Sequence, residues 1–191
     1  MNASESSREM ILAAARELFY QRGYQACSMG DIAKAAGLYK GNLSYYYKTK
    51  ADLLAAVAAA RMQSLTNTLA LISSRYYTSR EQLLGFVAMV EGSAPALAQY
   101  GCPLGSLATE LGKHSPELQP YAQGLLVCIQ QWLATRFAQS PVPGQDADVL
   151  AEQMLVTAQG IAVMAQATQN PALVQRQCQQ MRQWLESSWP A

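Results

Sequence analysis

Apolar residues recur at helical spacing along most of the chain. The first such run is Ile11, Leu12, Ala15, Leu18 and Phe19, and it ends before Gly23. Spacings of three and four residues are typical of a helix with one buried face. No stretch combines alternating β-branched residues with the Asn-Gly or Asp-Gly turns of hairpins. The pattern therefore predicts an all-α fold of about nine helices.

Polar capping residues divide the next part of the pattern into short pieces. Ser28, with Asp31 three residues later, opens a short helix, and Gly37 interrupts the apolar pattern before a second short helix. Thr49 with Asp52 then opens a long helix, because a hydroxyl and an acid at this spacing cap the first turn. A long helix is thus followed by two short ones and a further long one.

Breakers and caps also delimit the helices of the second half. Ser79 and Gln82 are expected to cap a helix that ends near Ala94-Pro95. Asp146 is expected to cap the penultimate helix, and Asn170-Pro171 supplies a cap and a first-turn proline for the last one.

The two short helices, joined by a glycine-containing turn, form a helix-turn-helix pattern. The pattern alone leaves DNA binding and plain helical architecture equally open. Residue chemistry favours DNA: lysines offer charge to phosphate, Asn42 can bond two edges of adenine, and Gly41 permits close approach to a groove. Ser28 can cap its helix and present that helix's first amides to a phosphate. The candidate DNA-contacting residues are Ser28, Tyr39, Lys40, Gly41, Asn42, Ser44, Tyr45, Tyr46 and Lys50.

The segment from Ile32 to Lys50, IAKAAGLYKGNLSYYYKTK, resembles the DNA-binding signature of TetR family transcriptional regulators. The resemblance extends back to Ala14 and forward to Leu54. Tyr46 and Tyr47 stand where the family often has His and Phe, which retains rings at both positions but changes the polar tip at the first. The contact made by Tyr46 is therefore the least defined of the set.

The resemblance implies a division of labour along the chain. Residues 1–48 would form the DNA-binding domain, and residues 49–191 would form a domain for ligand binding and dimerisation. The implied protein is a homodimeric repressor that leaves double-stranded operator DNA when a small-molecule inducer shifts its two DNA-binding heads out of register.

Two groups of residues in the second half are candidates for these tasks, and for each residue a place in the ordinary core is an open alternative. Adaptable Met, Cys and aromatic side chains suit a ligand pocket, and these candidates are Met62, Met89, Tyr100, Cys102, Leu104, Cys128, Trp132 and Met164. Small and apolar residues of the last two helices suit a four-helix dimer interface, and these are Ala158, Ile161, Ala162, Ala165, Leu173, Met181 and Trp184.

The segment from Tyr100 to Gly105 resembles a Gly-Cys motif in a subset of TetR-type regulators, some of which respond to electrophiles or oxidants. Cys102 stands just before an expected helix, where the helix dipole favours a thiolate. An alternative mode of regulation is therefore modification of Cys102 instead of ligand binding. A simple tight entry into the helix explains the same residues.

Composition and charge agree with a partner-binding role. Half of the residues are apolar and 14% are charged, so part of the apolar surface is expected to meet a partner. Residues 1–50 carry seven Lys and Arg against four Asp and Glu, whereas the rest carries seven against nine. The N-terminal part is therefore the basic part, as expected for the part that meets DNA.

Several other classes of protein are not indicated. The four cysteines form no CxxC pair, so neither a zinc site nor a disulfide framework is expected, and reduced thiols suit a cytoplasmic protein. No leader or membrane span is expected. A single histidine and the absence of a phosphate-binding loop give no basis for an enzyme or a cofactor. A helical adaptor without DNA binding is the remaining alternative.

Overall fold

The computed structural model describes residues 3–140, 142 and 144–189, apart from the side chains of residues 3–5 and Lys40. Every regular element in this part of the chain is helical, which confirms the all-α prediction. The helices are α1 (Ala3–Arg22), α2 (Met29–Ala35), α3 (Lys40–Tyr46), α4 (Lys50–Arg75), α5 (Ser79–Gly92), α6 (Ala94–Tyr100), α7 (Gly105–His114), α8 (Gln119–Gln139), α9 (Ala147–Thr168) and α10 (Pro171–Ser188), with a 3-10 turn at Pro116–Leu118.

Most of the predicted caps are confirmed. The Thr49 hydroxyl accepts a hydrogen bond from the Asp52 amide at 3.0 Å, and the Asp52 carboxylate accepts one from the Thr49 amide at 2.9 Å. Asp146 and Asn170 accept from the first amides of α9 and α10. Thr49, Asp146 and Asn170 cap their helices because a side-chain oxygen replaces the hydrogen-bond partner that a first-turn amide lacks.

The start of α5 differs from the prediction, whereas its end at Gly92 lies close to the predicted end near Ala94-Pro95. Thr78 and Glu81 form its capping box, one residue before the predicted pair. Gln82 instead donates to the backbone oxygens of Ser73 and Tyr76. Pro95 lies in the first turn of a further helix, α6, where a proline lacks only an amide that the first turn leaves unpaired. The short helix α6 is therefore additional to those predicted.

The chain folds into two compact units. We call Met1–Gln63 with Pro103–Leu125 the head unit, and Ser64–Cys102 with Leu126–Ala191 the bundle unit. The head unit thus includes the first half of α4 and all of α7, beyond the predicted domain 1–48. The functional boundary at residue 48 stays a prediction, because compactness does not show which residues bind DNA.

The head unit encloses one hydrophobic core. Leu43 of α3 and Ile32 of α2 are fully buried there, together with Leu53 and Leu54 of α4. Leu111 of α7 is buried in the same cluster. The short helices α2 and α3 are therefore held by packing, since seven residues are too few for a helix that is stable alone.

The bundle unit packs α10 against α5, α6 and α9. The α9 residues Ala158, Ile161, Ala162 and Ala165 are buried in this unit, as is Met181 of α10. Leu173 and Trp184 are half-buried, and the Trp184 ring lies 6.2 Å from that of Phe137. The five buried side chains therefore pack within their own chain, and a dimer interface formed by these seven residues stays a prediction.

None of the helices in the described part of the chain has both the length and the apolarity that crossing a membrane requires.

Candidate nucleic-acid interface

The turn between α2 and α3 depends on one glycine. The amide of Ala36 donates to the Ile32 oxygen at 2.9 Å, and the amide of Leu38 donates to the Ala33 oxygen at 2.9 Å. Between them Gly37 has a φ of +69°, in the left-handed region that side chains disfavour. The turn therefore closes α2 and redirects the chain into α3 within four residues.

The inner face of α3 is fixed by burial and by a contact from α1. Tyr47, directly after α3, is buried, and its hydroxyl accepts a hydrogen bond from Arg8 Nε at 3.2 Å. This bond raises the pKa of Arg8. Sequence reasoning missed Arg8, because no local pattern links two residues that are 39 positions apart. An exposed cation is thus held beside the end of α3.

The outer face of α3 gathers several of the predicted DNA-contacting residues. Gly41, Asn42, Tyr45 and Tyr46 line one groove of about 310 Å³, together with Ser7 and Leu38. The rings of Tyr45 and Tyr46 meet edge to face, with centroids 5.3 Å apart. Tyr45 is 77% exposed, and Tyr39, which precedes the helix, is 85% exposed. Two large rings therefore point into solvent, away from the core.

Gly41 faces open space. A Cβ atom built at this position has no other atom within 4 Å. Glycine disfavours a helix by roughly 1 kcal/mol relative to alanine, and nothing in the described part of the chain requires the small side chain. The open space lies beside the groove that Gly41 lines on the outer face of α3.

Ser28 and Ser44, two further residues predicted to contact DNA, do not line this groove. Ser28 caps α2 in a box with Asp31, whose carboxylate accepts from the Ser28 amide at 2.9 Å and from its hydroxyl at 2.5 Å. These bonds lower the pKa of Asp31, so a negative charge stands where a phosphate was expected. Ser44 is half-buried. The side chain of Lys40 lies outside the described part of the chain.

Lys50 is directed inward. Its Nζ atom donates to the backbone oxygens of Tyr24 and Cys27, both at 3.0 Å, and lies 4.3 Å from the centre of the Tyr24 ring. An ammonium group has three N–H donors, and a third carbonyl, that of Gln25, lies at 3.4 Å. The ammonium predicted to meet a phosphate is thus held by the loop between α1 and α2.

The structure separates the predicted pocket residues. Cys128 and Trp132 line a surface cavity of about 590 Å³ in the bundle unit, and this cavity is widely open to solvent. Met89, Tyr100 and Cys102 are half-buried elsewhere in that unit, whereas Met62 and Leu104 belong to the head unit. Met164 is 51% exposed on α9.

The outer face of α9 carries apolar residues without cover from the described part of the chain. Val149, Val156 and Val163 recur every seven positions and are 59%, 70% and 63% exposed. Gly160 and Met164 lie on the same side and are also exposed. This α9 stripe, as we call these five residues, was not predicted, because its members alternate with the equally apolar buried face.

Comparison with known proteins covers both halves of the chain. Residues 11–57 match the family model described as bacterial regulatory proteins, tetR family, and residues 86–180 match the C-terminal domain of LmrA/YxaF-like transcriptional regulators. The regulator QacR of Staphylococcus aureus is 46% identical over 46 residues, which is 24% of each chain. The regulator AcuR of Cereibacter sphaeroides is 26% identical over 173 residues, or 86% of this chain and 78% of AcuR. A TetR regulator structure from Chloroflexus aurantiacus superposes with a TM-score of 0.87 at 21% identity, covering 97% of both chains.

Proposed function

The chain belongs to the TetR family of DNA-binding transcriptional regulators, and from this premise we propose that it is a homodimeric repressor released from its operator by a small molecule. In this proposal α3 reads the major groove, α9 and α10 form the dimer, and the bundle unit binds the inducer.

The outer face of α3 is the observation that carries the proposal. Gly41 opens a path for close approach, and the exposed Asn42 beside it offers both a donor and an acceptor, the pair that recognises adenine. Tyr39 and Tyr45 add exposed hydroxyls that suit phosphate oxygens. These four residues lie in α3 or directly before it. They therefore support contacts to DNA bases from Asn42, with contacts to the DNA backbone on either side.

The α9 stripe supports the dimer. Three valines in heptad register, with Gly160 between them, allow two copies of α9 to pack closely. Two-fold pairing presents two copies of α3, and operators read by such dimers have half-sites about 34–36 Å apart. We therefore place the interface on the stripe instead of on the buried residues named from the sequence.

Release by a ligand is supported by the position of the cavity along the chain. The cavity is lined by α4 residues 66–74 and by α8, and the same α4 also contributes its first half to the head unit. A helix transmits displacement along its length because its backbone hydrogen bonds resist bending. A ligand that binds one position of α4 better than another would shift the population of DNA-binding dimers.

The test is binding to DNA. The full-length protein is titrated with labelled fragments that flank its own gene and with shuffled fragments of equal composition. We expect at least one flanking fragment to bind about 1,000-fold more tightly than its shuffled form. Asn42→Ala should lower this ratio, whereas Asn67→Ala, a matched change on the bundle unit, should not. Equal affinity for flanking and shuffled fragments would refute a sequence-specific regulator of its own locus.

A further inference from the structure

The cavity of the bundle unit has two chemically distinct ends. Cys128, Trp132 and Arg136 line it from successive turns of α8, a span of about 12 Å at 1.5 Å per residue. Leu69 and Ala70 of α4 add apolar surface. The cavity volume, about 590 Å³, lies in the range that holds small organic ligands. One end of the cavity is thus apolar, and the other end carries the Arg136 guanidinium.

Arg136 lacks a counter-ion in the part of the chain that the structure describes. The ion pair found there joins Arg182 to Glu91, and no carboxylate lies within 4.0 Å of the Arg136 guanidinium. One Nη atom donates to Ser73 Oγ at 2.8 Å, but the Nε atom is buried and has no hydrogen-bond partner among the described residues. A neutral hydroxyl does not balance the cation, and a buried donor without an acceptor carries a free-energy cost.

The surroundings hold the guanidinium in place despite this cost. Its central carbon lies 4.7 Å from the centre of the Trp132 ring. Ser73 Oγ also accepts from Trp132 Nε1 at 3.2 Å and donates to the Leu69 oxygen at 2.9 Å. Ser73 therefore fixes both the ring and the cation, and burial lowers the pKa of Arg136. An anion in the cavity would therefore meet a cation that is already positioned and partly desolvated.

We infer that the inducer is a small organic carboxylate, whose carboxylate pairs with Arg136 and whose apolar body lies along Trp132 and Leu69 toward Cys128. This inference rests on the proposed ligand-released regulator, since it names the chemistry of that ligand. The two terminal Nη groups of a guanidinium can bind a carboxylate end-on through two parallel hydrogen bonds. A cationic ligand would meet repulsion at the same point.

The test compares carboxylates with their amides on the full-length protein. The probes are phenylacetate, 4-phenylbutyrate and 1-naphthoate, each beside its neutral amide, and affinity is measured by isothermal titration calorimetry. We expect at least one carboxylate to bind about 10- to 100-fold more tightly than its amide. Arg136→Met should remove this preference, and Arg136→Lys should retain part of it, because lysine keeps the charge without the planar fork.

Arg80→Met is the matched control. Arg80 also lies over an indole of the bundle unit, with its guanidinium carbon 5.8 Å from the Trp189 ring, but it does not line the cavity. This variant should keep the preference for carboxylates. The melting temperature of ligand-free Arg136→Met should not fall, because the change removes a desolvated charge; a purely structural Arg136 would lower it.

Cys128 gives a second readout inside the cavity. The bound carboxylate should slow alkylation of Cys128 by N-ethylmaleimide in the parent protein and not in Arg136→Met, while Cys102 outside the cavity serves as the internal reference. The inference is overturned if none of the carboxylates binds at concentrations up to about 5 mM, since a dissociation constant above this value is too weak for an ordinary ligand. It is also overturned if the amides bind as tightly as the carboxylates. Operator binding measured on the same preparation separates this failure from failure of the proposed function.

Discussion

Lys50 and Glu110 hold the same loop through opposite ends of its peptide groups. The Lys50 ammonium donates to the carbonyl oxygens of Tyr24 and Cys27 at 3.0 Å. The Glu110 carboxylate accepts from the amides of Tyr24 and Gln25 at 2.9 and 2.7 Å. The peptide dipoles of the loop thus lie between a cation and an anion, an arrangement that favours both charges and satisfies groups that no secondary structure pairs.

This double attachment ties α7 to the loop that leads into α2. Glu110 is 86 positions from Tyr24 along the chain. Gly23 permits its approach, because a Cβ there would lie 3.0 Å from both carboxylate oxygens, and its φ of +86° also disfavours a side chain. The loop before the helix-turn-helix is therefore shaped by α4 and α7 together.

The first prediction concerns Lys50. Lys50→Met should lower the free energy of unfolding by about 1–3 kcal/mol, because the loop carbonyls lose a charged donor. Chemical denaturation measures this directly. At a temperature where the variant is folded, the slope of log affinity for DNA against log salt should match that of the parent protein, since the ammonium is engaged within the chain.

Lys48→Met is the control for this experiment, because Lys48 is exposed two residues earlier. A salt slope that falls by about one for Lys50→Met, with stability unchanged, would instead establish the phosphate contact expected from the sequence.

The second prediction is that one substitution at Gly41 affects stability and DNA binding in opposite directions. Gly41→Ala should leave the protein equally stable or more stable by up to about 1 kcal/mol, because the helix gains a better residue and the new methyl meets no protein atom. The same methyl should weaken operator binding if α3 enters the groove at this point. Thermal unfolding and fluorescence anisotropy check the two effects, and unchanged DNA affinity would move the contact surface away from Gly41.

Local rules predicted the helices of the head well. Ser28 with Asp31 and Thr49 with Asp52 cap helices through bonds between residues three apart, so the sequence contains both partners within one turn. Leu43 is buried where its helical spacing places it. Such features depend on neighbours along the chain, and a single sequence displays them.

Contacts between segments that are distant in the sequence could not be predicted from the pattern of apolar and polar residues. Nothing near Lys50 shows that three carbonyls 23 to 26 positions away will take its ammonium. The two faces of α9 also look alike in sequence, because both carry apolar residues. Ala158 is buried and Val156 is exposed, and only the fold shows which face the rest of the chain covers. The sequence shows the chemistry of a charged or apolar side chain, but its contacts depend on the tertiary fold.

The third prediction ranks the four thiols. Cys27 and Cys178 are buried, burial raises the pKa of both, and that of Cys178 rises to about 11. Cys102 and Cys128 are half-buried. Since the thiolate is the reactive form, Cys102 and Cys128 should react first with N-ethylmaleimide at neutral pH. Labelling of Cys178 should still be rising with pH above 9. Mass spectrometry of each peptide measures the order.

The same labelling tests whether Cys102 is a sensor. If modification of Cys102 releases DNA, the parent protein should leave its operator after N-ethylmaleimide treatment and Cys102→Ser should remain bound, with Cys128→Ser as the matched control. Release that persists in Cys102→Ser but is lost in Cys128→Ser would make Cys128 in the cavity the responsive thiol, and Cys102 would not be the trigger.

The fourth prediction concerns the α9 stripe. Val156→Glu combined with Val163→Glu should convert the proposed dimer to a folded monomer, because both side chains are largely exposed within one chain and would bring four carboxylates together across the two-fold axis. Operator affinity should fall by about 100-fold or more, since each head then holds one half-site without the second. Analytical ultracentrifugation and circular dichroism measure assembly and folding separately.

Two variants bracket this result. Leu71→Glu changes a side chain of α4 that is 66% exposed, and it should leave the dimer and its DNA affinity intact. Ala162→Leu enlarges a side chain that is 1% exposed on the inner face of α9, and overpacking should lower the free energy of unfolding by about 1–3 kcal/mol. If the paired valine variant stays dimeric, the subunits meet elsewhere. If Ala162→Leu dissociates the dimer at full stability, the inner face named from the sequence is the interface after all.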